Sequence, residues 1–340
     1  MKQYSYKHSS FLVVLIPFLL MWILAGWNTY NEDFLGYEET FDSAEAVWDY
    51  STGLDFGYLL INNIIRSSGF TFIQFRQIIY FVFLLFVVSY IYKKSHKPFL
   101  ICMIYISVIF FRDAILCRNT LAMIPMYIGL SMLVQENTTK SKAIFLICNI
   151  IACTIHASFV YYFIFLLLDK KFNPYFTFVV FFVASLFGEL FLTNLLDLSV
   201  LSGNEAVQQR SVYITESSWL SLLASSISVF LNYFVLCHFI EKKETRTEFD
   251  QRVLNISVLL MSILLFTYVS MEFARLFRNL FLFFCIININ NFLCIKRHSF
   301  FSILLLLFWI GWELTWITIL TGVGPQVKMF FIFNPLINSF

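Results

Sequence analysis

From Phe11 to Ile319 the chain returns again and again to apolar runs long enough to enter a lipid hydrocarbon core, and short basic loops interrupt them. About 20 apolar residues cross such a core as a helix. This alternation leaves few folds open, because in lipid every backbone polar group must be satisfied within the protein. Composition agrees: 59% of residues are hydrophobic and 13% charged, where a soluble domain carries about a quarter charged. The chain reads as an all-α, polytopic transmembrane helix bundle of about ten to eleven membrane segments, half-helices included. No repeat, linker or low-complexity tract divides it, so residues 1–340 are taken as a single integral membrane domain.

The N-terminus has the outline of a secretory signal, with Lys2 and Lys7 ahead of an apolar run from Phe11 to Ala25. No small-x-small cleavage site closes that run, so it reads as an uncleaved first span. None of the seven cysteines forms a CxxC pair, and all lie in or beside apolar segments. They read as packed hydrophobes rather than disulfides or metal ligands, and no metal or cofactor is expected. The net charge of +2 is segregated by loop and suggests no nucleic-acid partner.

Lysine placement gives a topology. Loops rich in Lys and Arg stay in the cytoplasm. Six loops qualify: Lys2/Lys7, Lys93/Lys94/Lys97, Lys140/Lys142, Lys170/Lys171, Lys242/Lys243 with Arg246 and Arg252, and Lys296/Arg297. Placing all six inside gives spans near 10–27, 72–92, 98–111, 114–134, 143–156, 157–168, 175–192, 219–240, 253–271, 274–294 and 299–319. The N-terminus is then cytoplasmic and the C-terminus external. Residues 143–168 test this path. As one helix they would run about 39 Å, yet basic residues flank both ends. Two half-helices meeting near His156 keep both clusters inside. Non-helical backbone at that depth needs protein or water around it, which implies a polar cavity opening outward.

Two external segments remain. Residues 28–71 form an acidic periplasmic loop: Glu32, Asp33, Glu38, Glu39, Asp42, Glu45, Asp49 and Asp55 precede the first basic residue, Arg66. Residues 193–218 form the second, with Asp197, Glu205, Arg210 and Glu216. Tyr58–Ser67 is amphipathic and suits a helix lying on the outer surface.

Arginine is used differently from lysine. Arg66, Arg76, Arg112, Arg118, Arg210, Arg275 and Arg278 fall in external segments or within spans. An ionisable group in a span costs about 2.5–3.5 kcal/mol on insertion scales and usually faces a cavity. Glu272, Arg275, Arg278 and Asn279 share a helix face if that helix is continuous. Each arginine alone is compatible with a structural ion pair, such as Glu272–Arg275 or Asp113 with a neighbour. As a set they suggest a bound anion, which a planar guanidinium holds bidentately. His156 is the other outlier: a satisfied structural donor, a base or a phosphate donor would each suit it. No DxD, GxxxxGK[ST] or HExxH is present, so metal-bound nucleotide-sugar, ATP-pump and zinc-protease chemistry have no motif here.

At this point the chain resembles the EpsG-like, Wzy-type polysaccharide polymerases of bacterial envelopes. The matching pieces run in order: Asp33-x3-Tyr37-x3-Phe41, then Asp55-Phe56-Gly57-Tyr58, Arg118-Asn119-Thr120-Leu121-Ala122, Ile155-His156-Ala157-Ser158, Arg275-Leu276 and Asn334-Pro335. Arg118-Asn119 departs from the family's Arg-Gln, and Asp55 stands where Glu is common.

The resemblance implies a membrane glycosyltransferase with a GT-C-like outward cavity that needs no metal and sits in the bacterial inner membrane with its site facing the periplasm. It would join glycan repeat units carried on undecaprenyl diphosphate into O-antigen, capsule or exopolysaccharide. Its partners would be the lipid-linked oligosaccharide donor and acceptor, the bilayer, and a chain-length regulator and flippase. Arg118, Arg275 and Arg278 would stabilise the leaving diphosphate. His156, then Asp55 or Glu272, would serve as base. Asp33, Tyr37, Asp55, Tyr58, Arg66, Arg112, Arg210 and Glu272 would bind substrate. The rivals are a glycan flippase, an O-antigen ligase and a membrane O-acyltransferase. A ligase calls for a larger late external loop, a flippase for an internal repeat, and an acyltransferase for a histidine reached from the cytoplasm.

Overall fold

The computed structural model describes residues 11–43, 56–170, 172–184, 219–267, 273–317 and 323–338. Among these, every regular element is helical. The elements used below are α1 (Leu12–Gly26), α2 (Phe34–Asp42), α3 (Phe56–Ser67), α4 (Phe72–Lys94), α5 (Pro98–Ile115), α6 (Cys117–Glu136) and α7 (Thr139–Ile155). A 3₁₀ segment, Ala157–Leu167, follows. Then come α8 (Pro174–Ala184), α9 (Trp219–Glu241), α10 (Glu248–Leu260), α11 (Ala274–Arg278), α12 (Phe281–Leu293) and α13 (Phe300–Thr315). Four of the described helices, α4, α5, α6 and the Leu222–Glu241 part of α9, are long and apolar enough to cross a membrane; α1, α8, α12, α13 and the 3₁₀ segment are shorter and apolar.

Local chemistry starts these helices. Thr71 with Gln74, Thr138 with Ser141 and Thr247 with Asp250 each form a reciprocal capping box, satisfying two orphan N–H groups at the head of α4, α7 and α10. Pro98 opens α5, where its missing N–H costs nothing. Within α5 the residues Ile106–Phe110 widen into a π turn, a feature frequent at functional sites.

The half-helix expectation holds in its geometry. α7 stops at Ile155, His156 is extended (φ −151°, ψ 110°), and the chain turns back as the 3₁₀ segment. Asn149 Nδ2 donates to Phe159 O at 3.1 Å across the hairpin. Lys142 pairs with Asp169, so the two ends of the hairpin meet. The span expected over 274–294 is different: it breaks into α11 and α12. Leu280 N–H bonds to Phe277 O, an i→i+3 step, while the Tyr127 hydroxyl takes the Asn279 carbonyl at 2.6 Å. Asn279 therefore lies beyond the last turn of α11 rather than within one long helix.

The chain divides into two compact units. The first comprises Met1–Glu45, Leu60–Ile124 and Leu282–Phe340; the second comprises Ala46–Leu59 and Pro125–Phe281. In the first, α1 packs along α4, and the C-terminal residues return to the end of α1: Asn334 Nδ2 donates to Ile23 O at 2.9 Å and Thr29 N–H to Phe333 O at 2.8 Å. In the second, α7 packs on the 3₁₀ segment and α9 on α10.

Within each unit the basic loops gather. Asn290 donates to Lys94 O and accepts from the His96 backbone N–H in the first unit. In the second, Arg252 donates to Val134 O and Gln135 O, and Asn255 to Leu168 O and Lys170 O. Lys243 pairs with Asp250 at 2.7 Å.

Candidate functional sites in the two units

In the first unit the acidic segment is anchored by its apolar residues. Phe34, Tyr37 and Phe41 lie at i, i+3 and i+7 of α2, on one face. The Phe34 ring packs on Phe72 (centroids 5.2 Å apart) and Phe41 on Phe75 (5.1 Å). Beneath them Arg76 is fully buried, donates to Ala25 O at 3.0 Å, and sits 5.1 to 5.9 Å from the rings of Phe34, Phe72 and Tyr80. A desolvated cation over aromatic faces contributes about 2 kcal/mol.

This anchoring carries Tyr37 to the first turn of α6. The Arg118 backbone N–H, an orphan donor of that turn, bonds to the Tyr37 hydroxyl. Burial pushes the Tyr37 hydroxyl up, while the Arg118 charge pulls it down and the Asp33 carboxylate pushes it up. Arg112 Nη1 stands 3.6 Å from Glu32 Oε2. Its neighbour Asp113 is buried and accepts from the Tyr105 hydroxyl at 2.6 Å, and the Tyr80 hydroxyl fixes Ala114 O at 2.6 Å. Glu32, Asp33, Tyr37, Arg112 and Arg118 thus come together from sequence positions up to 86 residues apart, counting from Glu32 to Arg118. Arg66 is half-buried in the last turn of α3, where a cation meets the carbonyl end of its helix.

In the second unit the site is built around His156. It is 8% exposed, and Arg275 Nη1 lies 3.4 Å from its Nε2, with Ser158 Oγ 3.4 Å from its Nδ1. Two tyrosine hydroxyls pin the backbone that carries the arginines: Tyr162 donates to Leu276 O at 2.7 Å and Tyr127 to Asn279 O at 2.6 Å. Arg278, on the same short helix, is 4% exposed.

The start of α3 rests on the turn before His156. A Cβ at Gly57 would lie 2.6 Å from Thr154 Oγ1 and 2.8 Å from Thr154 O, so only glycine allows this approach. Tyr58 beside it is fully buried. Gly57 and Tyr58 are thereby held beside Thr154, which precedes the Ile155-His156-Ala157-Ser158 motif.

The family model of EpsG matches residues 11–327. The chain belongs to the EpsG family. No curated protein and no solved structure matches it.

Of the site residues expected in this EpsG-family chain, Asp55, Arg210 and Glu272 lie outside the described residues, as does the 193–218 loop. Several neighbours carried no sequence signal. Tyr127 and Tyr162 read as ordinary apolar-span aromatics, yet they fix the arginine-bearing segment. Glu313 did carry one: a carboxylate inside the apolar run Phe300–Thr315 falls under the rule that singled out the arginines. It is 1% exposed, and neither carboxyl oxygen has a partner among the described residues.

Proposed function

We propose that this EpsG-family membrane protein polymerises glycan repeat units carried on a lipid diphosphate at the outer face of the bacterial inner membrane. Family membership supports the coarser reading, a polysaccharide polymerase-type membrane protein. The observation that carries the finer one is the pairing of an interhelical histidine with an arginine, His156 with Arg275, at a break in the helix.

The chemistry follows from these groups. Glycosyl transfer from a lipid diphosphate develops charge on the leaving phosphate, and guanidiniums placed in advance stabilise it there. Arg275 and Arg278 supply that charge in the second unit. The acceptor hydroxyl needs a proton acceptor within hydrogen-bond reach, and the His156 imidazole supplies it. Glu32, Asp33 and Tyr37 accept and donate hydrogen bonds of the kind sugar hydroxyls make.

The test is direct. Purified protein in liposomes, given an undecaprenyl-diphosphate-linked repeat unit, is expected to produce a ladder of longer lipid-linked glycans on a gel. Movement of the unit across the bilayer without a ladder would make the protein a flippase.

A further inference from the structure

The contact between Arg275 and His156 has a chemical direction. A guanidinium carries only donors, so Arg275 Nη1 donates and His156 Nε2 accepts. An imidazole nitrogen accepts only when unprotonated, which places the ring proton on Nδ1. There Ser158 Oγ, at 3.4 Å, is the acceptor. Nε2 has a single in-plane lone pair, and Arg275 occupies it. A base so engaged cannot take a proton from a substrate.

We propose that Arg275 exchanges partners: it holds the His156 lone pair in the resting protein, and the donor's diphosphate draws it away and arms the base. Ser158 is the positioning residue that keeps the proton on Nδ1. The identity of the anion rests on the polymerase reading. Hydrogen bonds between two charged groups are roughly twice as strong as neutral ones, and phosphate takes a guanidinium bidentately. A neutral imidazole offers one lone pair and no charge, so the exchange runs toward the diphosphate. Arg275 is half-buried, so an anion can reach it, and the tyrosine bonds to Leu276 O and Asn279 O hold the backbone while the side chain swings. In the transfer itself the acceptor O–H proton goes to Nε2 and its oxygen bonds to the anomeric carbon. The carbon–oxygen bond to the diphosphate breaks, and its electron pair leaves on the phosphate that Arg275 now holds. With no donor bound the base stays disarmed.

Diethyl pyrocarbonate reports the lone pair. Nε2 attacks its carbonyl, an N–C bond forms, ethyl carbonate leaves, and the Nδ1 proton passes to solvent. The full chain in detergent is treated with the reagent, and modification of the His156 peptide is followed by mass spectrometry, with exposed His96 as internal reference. Wild-type His156 is expected to react slowly, and geranylgeranyl diphosphate is expected to speed it about tenfold or more. Arg275→Met should react fast without the diphosphate and gain nothing from it.

A wild-type rate that the diphosphate leaves unchanged or lowers overturns the exchange, and so does an Arg275→Met rate equal to wild type. The wild-type arm decides alone should the variant fail to fold. Ser158→Ala is expected to lower kcat with KM unchanged, and Ser158→Thr to restore it; an equal fall in both variants removes the positioning role. The liposome ladder is scored separately. A ladder without the exchange sinks the exchange only, and the exchange without a ladder sinks the polymerase reading only.

Discussion

The two units set arginine against different neighbours. In the first, Arg112 faces the Glu32 carboxylate, and Arg118 shares Tyr37 with Asp33. In the second, Arg275 meets a neutral imidazole acceptor. A guanidinium beside carboxylates has much of its field cancelled, and the pair offers both donors and acceptors, which suits sugar hydroxyls. A neutral ring cancels none of a guanidinium's field, so that contact leaves the charge to attract an anion that arrives later. Residue type is the same in both places; the neighbour decides what it can bind. On this reading the first unit recognises glycan and the second handles the diphosphate and the proton.

Removing an arginine from either unit is expected to have the largest effect. Arg275→Ala is expected to abolish long-chain product while the protein stays in the membrane, with Arg275→Lys rescuing poorly because it lacks the planar fork. Arg118→Ala should also abolish long chains. Glu32→Gln should only raise the glycan KM, by about tenfold or less, because it removes one acceptor among several. Chain-length gels and initial rates check all four, and a Glu32→Gln variant as dead as Arg275→Ala would erase the proposed division of labour.

His156 comes next in size. His156→Ala should slow polymerisation by on the order of a hundredfold, the usual contribution of a positioned base. His156→Gln still hydrogen-bonds but takes no proton, and should match Ala. Near-normal polymer from the Gln variant would leave the imidazole an orienting role and move the base to Asp55 or Glu272.

The glycines give a smaller effect, on stability. Gly57→Ala forces a methyl into the Thr154 backbone and should cost about 1–3 kcal/mol, the usual cost of overpacking. Gly36→Ala on α2 meets nothing within 4 Å and should gain about 0.5–1 kcal/mol from helix propensity. Melting of the detergent-solubilised protein separates the two. Equal melting temperatures would mean that α3 does not rest on the His156 turn.

The smallest effect lies at the hairpin's ends. The Lys142 ammonium hydrogen-bonded to Asp169 holds that carboxyl below the usual range. A depressed carboxyl adds stability above its unfolded pKa of about 3.9 and loses it as pH falls through the lower folded value. The pair is exposed, so Asp169→Asn should cost only about 0.2–1 kcal/mol at pH 7, and less in high salt. The difference from wild type should vanish toward pH 3. A deficit that persists there would mean a packing defect rather than a lost ion pair.

The helical class, the apolar spans and the break at His156 are legible in the sequence because hydropathy and loop charge are local quantities that accumulate along the chain. Basic residues at both ends of 143–168 are enough to require a turn between them, and Lys142 with Asp169 closes it. The break after Arg278 left no such trace, because it falls inside an apolar stretch and is made by a tyrosine 152 residues away in sequence. Which arginine meets His156 is likewise a matter of packing: Arg275 lies 119 residues along the chain, and nothing in its own neighbourhood names an imidazole. The same holds for Gly57 against Thr154 and for Tyr37 at the head of α6. A sequence determines which groups lipid will expel or bury; only the packing of helices against one another decides which of the buried groups meet, because that choice depends on every contact in a unit at once.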